Sequence, residues 1–219
     1  HAMEIVAAIP EEAHPGQLDS LRIATTNVNG DFVPARVRLN IARLRAPALQ
    51  YRQRLWKQPD QYVMDEATFR KYFPLDEYAS ENDPSEWKTE KTVYTSEFQT
   101  GKARPVAIPP STWKVNGWYA VEITATDDAG KEVKERKIIR VFDPQHSGVL
   151  PDVFVVKEKD HYEPGEKAKV WLSPGAAGSY WIQREEMPEK ASLQTMQAGG
   201  IVSWAYTVKE EDRGGINLS

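Results

Sequence analysis

Cysteine is absent from the 219 residues. That removes disulfide staples, thiolate metal ligands and a cysteine nucleophile together. No run of about 18 apolar residues occurs, so nothing reads as a membrane-spanning helix. Basic charge is not in excess either. Lys and Arg number 28 against 32 Asp and Glu, for a formal net charge of -4, which leaves no basic stripe to displace counterions from a nucleic-acid backbone. Histidine is limited to four residues, so groups that titrate near neutral pH are few. The opening residues also lack the charged stretch and apolar segment of about 7 to 15 residues that mark a secretory signal.

What is present suits a folded chain with a core. Hydrophobic residues make up 40% and charged residues 27%, and the length favours two domains. Strand-period segments recur, each bounded by Gly, Pro, Asn or Asp, the pattern of an all-β protein. The first three are residues 4–9, 21–28 and 36–44. Val37, Leu39 and Ile41 alternate with Arg36, Arg38 and Asn40, giving one buried face and one solvated face. Asn29-Gly30-Asp31 predicts a hairpin between the second and third segments. Strands resume at 93–99, 118–126 and 133–142, the last two forming a hairpin around Asp127 to Gly130 with Tyr119, Val121, Ile123, Ala125, Ile139 and Val141 inward. Between about 45 and 92 lies an insertion rich in aromatics, prolines and charges. Within it Asp65 caps a short helix, Met64 and Phe69 fit a hydrophobic staple, Phe69, Tyr72 and Phe73 line one face, and Pro74 ends it. Trp56, Tyr62, Tyr78 and Trp87 are expected to pin the insertion to the sheet.

The predicted fold is thus two immunoglobulin- or fibronectin-III-like antiparallel β-sandwiches in tandem, over residues 4–145 and 151–219, separated by the Pro- and Gly-containing stretch 143–151. The second has strands expected at 153–157, 167–172, 179–184 and 202–208, four or five in all, and is expected to be truncated. His1-Ala2-Met3 reads as a cloning remnant and Ile216 to Ser219 as a strand cut short, so both ends are expected to lie inside a longer protein.

Residues that could carry chemistry are scattered. His14, His146 and His161 sit beside Pro or Asp in predicted turns, with no nucleophile elbow or His-Glu-x-x-His helix. Asp76, Glu77, Glu81, Asp83, Glu86 and Glu90 could gather Ca²⁺ but lack the spacing of an EF-hand loop; a solvated face is the simpler expectation. Of the tryptophans Trp56, Trp87, Trp113, Trp118, Trp171, Trp181 and Trp204, most fall at inward strand positions; Trp87 and Trp113 are the ones best placed to stack on a sugar. Arg36, Arg38, Arg43 and Arg45 read as a charged strand edge that resists aggregation. Gly199-Gly200 and Gly214-Gly215 are turn pairs without the Lys and Ser/Thr of a phosphate-binding loop. No catalytic, cofactor-binding or metal-ligating residue is assigned, and no enzyme activity or cofactor is expected.

The run Tyr162-Glu163-Pro164-Gly165-Glu166-Lys167-Ala168-Lys169-Val170 resembles the Tyr-x-Pro-Gly-(Glu/Asp)-x-Ala turn that opens macroglobulin domains of the alpha-2-macroglobulin family. Pro164 presets φ and Gly165 accepts a positive φ, which specifies a type II turn. Thr26 to Ala35, Leu55 to Asp60, Phe73 to Trp87, and Gly117-Trp118-Tyr119 with Asp127 to Glu132 are similar to segments of large bacterial members. The resemblance implies a scaffold fragment of an extracytoplasmic protease-trapping protein, with neighbouring macroglobulin domains and target proteases as partners. It places the bait segment beyond Ser219, and the family's Cys-Gly-Glu-Gln thioester cannot lie in a chain without cysteine. The competing expectation is a carbohydrate-binding or adhesive β-sandwich of a cell-surface protein.

Overall fold

The computed structural model describes residues 3–47, 51–52, 54, 61–101, 105–146, 154–159, 161–173, 179–185, 191–197 and 202–213. The chain is mostly β, built of antiparallel sheets, with one short α-helix among the described residues. It divides into two compact units, residues 1–148 and 149–219.

The first unit contains β1 (Met3–Ala8), β2 (Glu12–Ala13), β3 (Ser20–Asn27), β4 (Ala35–Leu44), α1 (Glu66–Tyr72), β5 (Thr89–Gln99), β6 (Pro105–Ala107), β7 (Gly117–Asp127) and β8 (Glu132–Val141). They form a three-stranded sheet in the order β1-β3-β6 and a five-stranded sheet in the order β2-β8-β7-β4-β5. Among the described strands the two-residue β2–β8 ladder is parallel and the other ladders are antiparallel. Strand alternation decides what is buried. Val37, Leu39 and Ile41 of β4, Tyr119, Val121, Ile123 and Ala125 of β7, and Ile139 and Val141 of β8 join Met3, Leu21 and Ile23 of the other sheet in a single core. Each such side chain contributes about 1.5–3 kcal/mol by leaving water. The β7–β8 hairpin forms as expected, with Gly130 at φ 79° and its N–H donating to Asp127 O at 3.0 Å.

The predicted hairpin between β3 and β4 does not form. Asn27 to Asp31 does turn locally: the Asn27 side-chain oxygen accepts the N–H groups of Asn29 (2.9 Å) and Asp31 (3.0 Å), and Gly30 has φ 83°. The chain then crosses to the other sheet, so β3 pairs with β1 and β6 while β4 pairs with β5 and β7. The crossing is held by Thr25, fully buried, whose hydroxyl lies 2.5 Å from Val33 O and 2.9 Å from the Thr100 hydroxyl.

Because β4 is an interior strand, Arg36, Arg38 and Arg43 do not guard an edge. Arg38 pairs with Glu97 and Arg43 with Glu90, each at 2.8 Å across to β5. Two register shifts in the β4–β5 ladder, at Ile41/Ala42 and Arg43/Leu44, each leave one extra residue in β5, Val93 and Glu90, as a bulge does. Ala42 and its cross-strand partner Ala120 are fully buried although Ile41 and Val121 already face the core; here the outer face is covered, at the end of the sheet where the insertion meets it.

The second unit has β9 (Phe154–Lys157), β10 (Lys167–Ser173), β11 (Ser179–Glu185), β12 (Ala191–Gln197) and β13 (Val202–Thr207), arranged as a β13-β10-β9 sheet and a β11-β12 pair. Strand β12 makes up the fifth of the four or five strands expected, at a position the sequence did not mark. Its sequence, Ala191 to Gln197, alternates only weakly and carries two glutamines, which obscures the period.

Candidate functional site

The Pro164-Gly165 turn has the expected geometry. Gly165 sits at φ 93°, the Glu166 N–H donates to Glu163 O at 3.0 Å, and the Gly165 N–H donates to Val208 O at 2.8 Å. The Glu166 carboxylate braces the turn by accepting the Glu163 N–H at 3.0 Å and pairing with Lys159 at 3.0 Å. The backbone N–H, then Lys159, hold that carboxyl below its ordinary range, and the Glu166 contact raises the Lys159 ammonium.

The insertion is assembled from polar links and an aromatic row. Asp65 caps α1 by accepting the Thr68 N–H at 2.9 Å and its hydroxyl at 2.8 Å, which lowers the carboxyl's pKa. Phe69 and Phe73 pack at 5.3 Å, but Tyr72 turns outward and is exposed instead of sharing their face. Trp87 does meet the sheet, edge-on to Trp118 of β7 at 5.7 Å, with its indole N–H donating to Glu81 O at 2.7 Å. Tyr62 and Tyr78 instead stack on one another at 4.5 Å. Trp56 lies outside the described residues.

The acidic stretch is divided among separate partners. Asp76 pairs with Arg52 at 2.7 Å, Glu81 with Arg70, and Glu90 with Arg43. Glu77 accepts the Asn82 N–H, and Asp83 caps a single 3-10 turn, Pro84–Glu86, which includes Glu86. Among the described residues no group of three or more metal-ligating side chains forms a cation site.

Trp113 is fully buried, edge-on to Tyr119 at 5.2 Å, and donates its N–H to Leu18 O at 3.1 Å. It is core and cannot present a face to a sugar. Trp118 and Trp171 are half-buried; the side chains of Trp181 and Trp204 lie outside those described.

One constellation was not anticipated. His14 and His146, from opposite ends of the first unit, flank buried Asp143: His14 Nε2 is 3.4 Å and His146 Nδ1 3.6 Å from the same carboxylate oxygen. Asn116, also buried, accepts the Asp143 N–H at 2.7 Å and donates to the carbonyls of Asp143 (3.0 Å) and His146 (3.2 Å). The Gly16 N–H donates to His14 Nδ1 at 3.2 Å, so the neutral ring carries its proton on Nε2, facing the carboxylate. That tautomer turns the Nε2 proton toward the Asp143 carboxylate, while His146 Nδ1, shielded from solvent, makes no hydrogen bond. The cluster is a polar clasp joining the start of the unit to its end. His161 is exposed and in neither cluster.

No protein-family model matches the chain, and no curated protein matches it significantly.

Proposed function

We propose that the chain is a non-catalytic scaffold fragment of an alpha-2-macroglobulin-like extracytoplasmic protein, its two units being immunoglobulin-like macroglobulin domains that hold a distal protease-trapping segment in place. The observation that carries the reading is the Tyr162 to Ala168 run. Its Pro-Gly pair forms the turn that the family motif specifies, directly ahead of β10 and tied by backbone bonds to Val208 after β13. The packed two-sheet core of the first unit supports a structural role, and several of its carboxylates are held by neighbours: Asp143 accepts the Gln145 N–H with two imidazoles beside it, and Glu81 and Asp76 pair with arginines.

Limited proteolysis of the natural full-length protein tests it. With several endopeptidases of unrelated specificity, first cleavage is expected in one segment C-terminal to residue 219, with the protease then co-eluting on size exclusion. Cleavage scattered through the domains, or protease eluting free, overturns the reading. Hydrolysis of chromogenic peptides or glycosides by the 219-residue chain also counts against it, and specific binding on a glycan array would favour a carbohydrate-binding module instead.

A further inference from the structure

Five of the seven large exposed hydrophobic side chains among the described residues fall between residues 62 and 75. They are not scattered over that segment. Tyr62, Tyr78, Phe69 and Phe73 form a continuous row of rings with successive centroids 4.5, 5.2 and 5.3 Å apart. The two ends remain open to solvent, Tyr62 at 48% and Phe73 at 43%, and the row is bordered by Val63 at 91% and Leu75 at 54%. Helix α1, amphipathic in sequence, has no buried residue at all. A seven-residue helix is marginal alone, yet this one is fixed by the Asp65 cap and by Arg70 pairing with Glu66 and Glu81. Polar bonds therefore hold an apolar face in the open, and such faces on a soluble surface mark interaction sites.

The charge around the row selects the occupant. Acidic residues outnumber basic ones eight to three over residues 61–90; Arg52 and Arg43, from outside that segment, match Asp76 and Glu90, and an acidic excess remains. Of the three bases, Arg70 is neutralised by two glutamates and its guanidinium lies 4.3 Å over the Tyr51 ring, while Lys71 lies over Tyr72. Asp65 and Glu66 are close enough to act on the Tyr78 hydroxyl, which partial burial, then Tyr62 and those two carboxylates, push above its ordinary range. Aromatic faces rimmed by carboxylates attract cations carried beside apolar groups.

We infer that this aromatic row is a docking surface for a partner polypeptide segment that presents bulky apolar side chains together with Lys or Arg. The inference stands apart from the macroglobulin reading, because it depends only on the insertion's surface.

The test is fluorescence anisotropy with the 219-residue chain and two labelled amphipathic peptides of equal length, one of Leu and Lys and one of Leu and Glu. The Leu/Lys peptide should bind, and the Leu/Glu peptide should not. Because Val63, Phe73 and Leu75 are already exposed, a Val63→Ser, Phe73→Ser, Leu75→Ser variant should keep the wild-type circular dichroism and bind the Leu/Lys peptide at least tenfold more weakly. A Glu66→Gln, Glu77→Gln variant should weaken it severalfold. Absence of binding, equal binding of both peptides, or unchanged binding by the serine variant overturns the inference. So does capture by phosphatidylcholine vesicles in place of the peptide, which would make the face a lipid contact.

Discussion

Trp113 offers the sharpest test of the packing. The indole is fully buried, meets the Tyr119 ring edge-on and gives its N–H to Leu18 O. Trp113→Ala removes the largest fully buried side chain among the described residues and leaves a cavity between the connections and β7. Truncations of this kind cost about 3–5 kcal/mol. Trp113→Phe keeps most of the apolar volume but strands the Leu18 carbonyl, for about 1–3 kcal/mol. Trp118→Phe is the control: its Nε1 is shielded and has no hydrogen-bond partner, so deleting that N–H loses no bond, and the expected change is under about 1 kcal/mol. Urea titration followed by circular dichroism reads all three. With a slope of about 2 kcal/mol per molar, the alanine variant should lower the first unit's midpoint by about 2 M. The order expected is Trp113→Ala, then Trp113→Phe, then Trp118→Phe. A Trp113→Ala change no larger than that of Trp118→Phe would refute the placement of Trp113 in the core.

The clasp and the turn give two further expectations. Asn116→Ala strips a buried amide from the Asp143 N–H and from two carbonyls, so a loss of about 2–3 kcal/mol is expected, with hydrogen exchange at the Asp143 amide accelerating more than that at Val121 in the sheet centre. Gly165→Ala forces a side chain into φ 93° and should destabilise the second unit by about 1–2 kcal/mol; a thermal scan in which this variant melts with the wild type would contradict the turn.

What could be read from the sequence was whatever depended on neighbours along the chain. Asp65 sits three residues before the Thr68 N–H it accepts, Pro164-Gly165 sets its own dihedral angles, and the β7–β8 alternation states which side chains face inward. Each is a local rule with a local outcome. The Asn29-Gly30 turn obeyed its local rule as well, for the turn forms; the partner of the following strand was decided elsewhere, by Val37, Leu39 and Ile41 meeting β7 and β5 across one core. Turn chemistry fixes a reversal and does not fix which sheet receives the next strand. The arginine edge failed for the same reason, since a strand's rank in a sheet is a long-range property. Trp113 lies in a single 3-10 turn, Pro110–Trp113, too short to show a period that would announce its burial. His14 and His146 are separated by nearly the whole first unit, and each carries only the signature of a turn; Asp143 makes them a pair only once β2 lies beside β8. The aromatic row was legible in composition but not in exposure, because the same rings that suggest a core are left facing solvent when polar bonds, not burial, hold the loop.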